Sequence, residues 1–95
     1  MLFRSIMAKA EIGWVRRDAD GVKMDVYAHH FGGKWIFYER EKRYDQWQEV
    51  PRPLLEDWLS LLDAIERKIQ RRQLRPEEAN RVRNKIREEY PEAEV

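Results

Sequence analysis

The stretch VKMDVYAHHFGGKWIFY, running from Val22 to Tyr38, decides the fold. β-Branched and aromatic residues fill it, and Gly32-Gly33 interrupts it near the middle. Two glycines between such runs predict a two-residue hairpin turn of the primed kind, because glycine accepts positive φ without a Cβ clash. That turn fixes a register. Phe31 falls opposite Lys34, His29 opposite Ile36, Tyr27 opposite Tyr38 and Asp25 opposite Arg40.

Upstream, Asp18-Ala19-Asp20-Gly21 reads as a type I turn closed by a left-handed glycine, the three-residue hairpin with a bulge. It joins a strand over Glu11–Arg17 to one over Val22–Phe31. Asp18 then faces Val22, Trp14 faces Val26 and Ile12 faces Ala28. Alternation sorts the side chains. One face carries Ile12, Trp14, Val22, Met24, Val26, Ala28, Trp35 and Phe37, and reads as a core. The other carries Val15, Arg17, Lys23, Asp25, Tyr27, His29, Lys34, Ile36, Tyr38 and Arg40. A third strand is expected from Lys34 to about Lys42, leaving the packed region after Phe37 because Glu39 and Glu41 break the apolar face. A short fourth strand is expected over Gln46–Val50.

Downstream, Pro51 and Pro53 mark a change of period. A helix is expected from near Pro53, a residue suited to the first helical position. Glu56 and Asp57 lie in its first turn, where the helix dipole favours anions. Leu55, Trp58, Leu59, Leu62, Ile65 and Ile69 form its apolar stripe. Arg67, Lys68, Arg71 and Arg72 close it. Gln73-Leu74-Arg75 connects to a second helix that starts at Pro76, buries Ala79, Val82, Ile86 and Tyr90, and stops at Pro91.

The expected class is α+β, an antiparallel three- or four-stranded β-meander followed by an α-helical hairpin in two layers. The 95 residues suit a single domain. Residues 1–9 read as a loose N-terminal extension, 10–50 as the meander, 53–90 as the helical hairpin and 91–95 as an acidic tail. One core is expected to unite Trp14, Trp35, Phe37 and Trp58 with Leu55, Leu59, Leu62 and Ile65.

Composition narrows the function classes. Hydrophobic residues make up 42% and aromatics 12%, too much for a disordered chain. The 19 basic and 18 acidic residues leave a net charge of +1, which speaks against a general polyanion binder. Cysteine is absent, which excludes disulfides, thiolate metal sites and cysteine nucleophiles. No apolar run approaches a membrane span, and residues 1–10 lack the continuous apolar stretch of a secretory signal. A cytoplasmic protein with no membrane association is expected.

Catalytic and metal chemistry find little footing. His29 and His30 are adjacent on a strand and point to opposite faces, so they cannot share a metal. Asp18-Ala19-Asp20-Gly21 resembles the opening of a calcium loop, but the twelfth position, which needs a bidentate Glu, is His29. Ser5 and Ser60 are the only serines, there is no threonine, and neither serine sits in a nucleophile elbow. The four glycines form no phosphate loop. No enzyme activity, cofactor or metal is expected.

Two features suit binding. Tyr27, Ile36 and Tyr38 sit together on the polar sheet face and form a candidate protein or self-association surface, since interfaces favour aromatic residues and Arg. The alternative is nucleic acid. Arg17, Lys23, Lys34 and Arg40 ring the tyrosines, and the segment from Arg67 to Arg87 holds nine cations against Glu77 and Glu78, a sum of +7. Arg71, Arg72 and Arg75 in that segment are its candidate phosphate contacts.

Overall fold

The structure, a computed structural model, describes residues 11–95. The extension expected over residues 1–9 lies outside them. The described chain forms β1 (Glu11–Arg17), β2 (Lys23–Phe31), β3 (Lys34–Arg40), β4 (Gln48–Val50), α1 (Leu55–Gln70) and α2 (Pro76–Glu89). It divides into a sheet unit that ends at Arg52 and a helical unit over Pro53–Val95.

The sheet is an antiparallel meander in the order β1-β2-β3-β4. Both turns form as the sequence predicts. Gly32 and Gly33 take φ of 60° and 79°, the positive pair that a primed turn requires. At the first turn the Asp18 N–H donates to Val22 O and the Gly21 N–H to Asp18 O, each at 2.9 Å. The Asp18 carboxylate accepts from the Asp20 and Val22 N–H groups, so one short acidic side chain organises the loop. The ladders then set Trp14 against Val26, Ile12 against Ala28, and Tyr27 against Tyr38.

On one face Ile12, Val26, Ala28 and Phe37 are buried, and Trp14 meets Phe37 edge-on at 6.0 Å between ring centres. Burying a side chain such as Phe37 stabilises by about 1.5–3 kcal/mol. The expected departure of β3 after Phe37 does not occur. Glu39 stays in the ladder opposite Val26, and its charge is met by Arg16, whose Nη2 donates to Glu39 Oε1 at 2.6 Å. A buried face accepts a carboxylate when a cation and a hydrogen bond come with it. Strand β3 ends at Arg40 and β4 spans only Gln48–Val50, both shorter than expected.

In the helical unit α1 begins at Leu55, two residues beyond Pro53, because Leu54 in extended conformation is its N-cap. The Pro53 carbonyl accepts a hydrogen bond from Tyr90 Oη at 2.7 Å, tying the entry of α1 to the end of α2. The buried stripe of α1 is Trp58, Leu61, Leu62 and Ile65, with Asp57 buried in the first turn. Leu59, expected inside, is 39% exposed, and Leu61 is fully buried in its stead. At about 100° per residue, Leu61 and Leu62 straddle the line through Trp58 and Ile65, whereas Leu59 lies on the flank. Helix α2 starts at Pro76 and buries Ala79, Val82 and Ile86, as its spacing predicts, while Tyr90, expected in the same stripe, is its half-buried C-cap.

Helix α1 ends in a Schellman motif. The Gln73 N–H donates to Lys68 O and the Arg72 N–H to Ile69 O. Arg72 holds the left-handed position of that motif at φ 61°, the one non-glycine residue with positive φ among those described.

Candidate interaction surfaces

On the sheet face opposite Val26 and Phe37, Tyr27 and Tyr38 are cross-strand partners and their rings stack at 4.9 Å, 17° from parallel. The Trp47 ring meets Tyr27 edge-on at 4.7 Å. The Arg40 guanidinium covers Trp47, with Cζ 4.2 Å from the ring centre, and its Nε lies 3.6 Å from Asp25 Oδ2. A cation held over an indole is attracted by the ring quadrupole. Four side chains from β2, β3 and the segment before β4 thus form one ordered cluster. Ile36 is half-buried opposite His29, whose Nδ1 lies 3.3 Å from Glu11 Oε2.

Cations stand at both ends of this cluster's face, and the exposed Glu49 lies beside Tyr38 at its edge. Lys23, Lys34 and Arg17 are exposed, and Arg17 donates to Gly21 O across the first turn. Lys23 and Lys34 have no carboxylate partner among the described residues. Val15 and Phe31 add exposed apolar surface at 56% and 68% accessibility.

The register sets Tyr27 opposite Tyr38 and Asp25 opposite Arg40, as the sequence predicts, with Ile36 on the same face two positions from Tyr38. The sequence reading omits Trp47. The β3–β4 register supplies the link: with Tyr38 opposite Glu49, position 47 shares the parity of Glu49 and therefore the tyrosine face.

In the helical unit four of the nine cations of the basic segment pair with carboxylates. Arg67 pairs with Asp63, Arg81 with Glu78, Arg83 with Glu66, and Lys85 with Glu88 and Glu89. The hydrogen bond that Lys85 donates to Glu88 leads the causes that raise the Lys85 pKa above its ordinary value. Arg87 donates to Asn84 Oδ1 and to Val95 O. Lys68, Arg71, Arg72 and Arg75, all at the α1–α2 turn, have neither a carboxylate partner nor, unlike Arg87, another side-chain hydrogen bond among the described residues.

A cleft beside β3 carries Glu39, Glu41 and Asp45. Among the described residues no group of three or more His, Asp or Glu side chains converges to hold a metal ion. No described helix is long and apolar enough to cross a membrane.

No family model matches the chain, no curated protein matches its sequence, and no solved structure matches its fold.

Proposed function

We propose that this chain is a non-catalytic interaction domain that binds a protein partner through the Tyr27–Tyr38–Trp47–Arg40 face of its sheet. The partner's own surface has an apolar centre and an acidic rim. The observation that carries this reading is the mutual stacking of Tyr27 and Tyr38 at 4.9 Å. Each ring turns a face to the other, and Arg40 covers a face of Trp47. Base stacking needs free ring faces. Ring edges, hydroxyls and an ordered guanidinium instead suit the preorganised Tyr, Trp and Arg anchors of protein interfaces.

The rim supports a different protein over a second copy. Arg17 and Lys23 stand at one end of the β2–β3 face and Lys34 at the other. A face-to-face dimer needs a two-fold axis lying in the plane of this face, and any such axis would bring these like charges together, whereas an acidic rim complements both ends.

The test has two parts. Nuclease-treated native lysate is passed over immobilised full-length chain, and the retained protein is identified, purified and titrated against wild type, Tyr38→Glu and Trp47→Ala. The reading expects one-to-one binding that both variants weaken by about tenfold or more, as for hot-spot residues, with unchanged circular dichroism. Equal binding by Tyr38→Glu overturns the interface. A wild-type dimer in sedimentation at tens of micromolar that Tyr38→Glu dissociates overturns the acidic partner in favour of a second copy.

A further inference from the structure

Beyond the sheet surface, we infer that the α1–α2 turn is a docking site for the phosphate backbone of nucleic acid, contacted by Lys68, Arg71, Arg72 and Arg75. Ion pairs, and at Arg87 hydrogen bonds to Asn84 Oδ1 and Val95 O, set these four apart from the rest of the basic segment. Arg67, Arg81, Arg83 and Lys85 each have a carboxylate within the helical unit. Lys68, Arg71, Arg72 and Arg75 have none among the described residues, and the three arginines are exposed.

Helix electrostatics explains Lys68 and Arg71, because cations are favoured at the C-terminal end of α1. It does not explain the other two. Arg72 occupies the left-handed position of a Schellman motif at φ 61°, where glycine is the favoured residue and a Cβ is a cost. Arg75 is the N-cap of α2 and makes no side-chain cap. Short polar acceptors are preferred there, and the dipole disfavours a cation. Two arginines thus stand where local structure argues against them, on a turn held by the Lys68 and Ile69 carbonyls and by the Glu78 N–H donating to Arg75 O. Backbone strain carried by a charged side chain points to a ligand that uses the charge.

The turn also lacks what a protein interface needs. Leu74 is half-buried, and no exposed large apolar side chain lies between residues 68 and 76. Contacts made by charge alone suit phosphates, which guanidinium groups grip bidentately and which need no apolar centre. Absence of an insertable apolar group also disfavours a lipid surface.

The test is fluorescence anisotropy of the full chain with mixed-sequence duplex DNA and duplex RNA of roughly 20 base pairs, read as log affinity against log salt. Four phosphate contacts give a slope of about −3 to −4 on DNA. The variant Arg71→Gln/Arg72→Gly/Arg75→Gln is expected to lose about tenfold or more at low salt and to flatten the slope by roughly 2 to 3. Arg72→Gly alone is expected to weaken binding while raising Tm, an opposition that a purely structural Arg72 would not produce. No binding of either duplex at low salt and micromolar protein overturns the inference. So does an unchanged slope in the triple variant, or retention on phosphatidylserine vesicles without retention on nucleic acid. Loss of binding by Tyr38→Glu with none by the triple variant assigns the contact to the sheet and also overturns it.

Discussion

Arg16 and Glu39 join β1 to β3 across the intervening strand β2, with Nη2 and Oε1 2.6 Å apart. The Arg16 side chain is only 8% exposed, so the cation depends on this carboxylate more than a surface ion would. Glu39 is 32% exposed, which moderates the loss when it is removed. Glu39→Ala is expected to destabilise by about 1–3 kcal/mol, since the largely buried Arg16 guanidinium loses its hydrogen bond to Glu39. In a urea double-mutant cycle, Arg16→Met in the Glu39→Ala background should cost much less than Arg16→Met alone. Additive costs would show that the two side chains act independently.

Leu59 and Leu61 provide a reading of the helix phase. Leu61 is fully enclosed and Leu59 lies at the margin. Leu61→Ala is expected to cost about 2–5 kcal/mol, and Leu59→Ala under about 1 kcal/mol. Trp58, 3% exposed, should join Leu61 at about 3–5 kcal/mol on truncation to Ala. Equal losses at Leu59 and Leu61 would place the buried stripe elsewhere.

The Gly32-Gly33 turn is open space around both would-be Cβ atoms, so substitution there meets backbone strain alone. Gly32→Asn should be nearly neutral, because Asn followed by Gly suits a primed turn. Gly33→Val should cost about 1–2 kcal/mol, as a β-branched residue resists φ of 79°. Thermal melts of the two variants, compared with wild type, separate these effects. A Gly33→Val protein as stable as wild type would contradict the turn.

Tyr90→Phe removes the donor that satisfies Pro53 O and leaves the ring in place. A loss of about 0.5–1.5 kcal/mol is expected, the ordinary net value of such a bond. Tyr90→Ala should cost more, because the half-buried ring goes too. Chemical denaturation of both variants resolves the hydroxyl from the ring.

Much of the sheet was legible because its turns are chemically explicit. Asp18 with Gly21, and Gly32 with Gly33, each admit few backbone paths, and one ladder follows from each. Helix α1 was less legible. Leu54, Leu55, Leu59, Leu61 and Leu62 crowd one short stretch, so more than one phase satisfies three-to-four spacing, and tertiary burial chose the one that encloses Leu61. Glu39 was misread because its partner Arg16 is distant in sequence, and a lone carboxylate in an apolar run looks like an ending. Trp47 precedes a strand of three residues, too short for alternation to declare a face. At the α1–α2 turn, sequence gave the charge of Arg71, Arg72 and Arg75, while their freedom from carboxylates needed the ion pairs of the neighbouring turns.

Each ladder of the sheet pairs strands adjacent in sequence, closing the chain over 18–22, 32–33 and 41–47. Contact order in this unit is therefore low, and the loop-closure entropy of each step is small. The β2–β3 hairpin can form from its two-glycine turn without waiting for distant chain, and β1 and β4 can then add on either side. Such a sheet assembles by successive zippering, and β4, held by three residues, is the segment whose amides should exchange with solvent first.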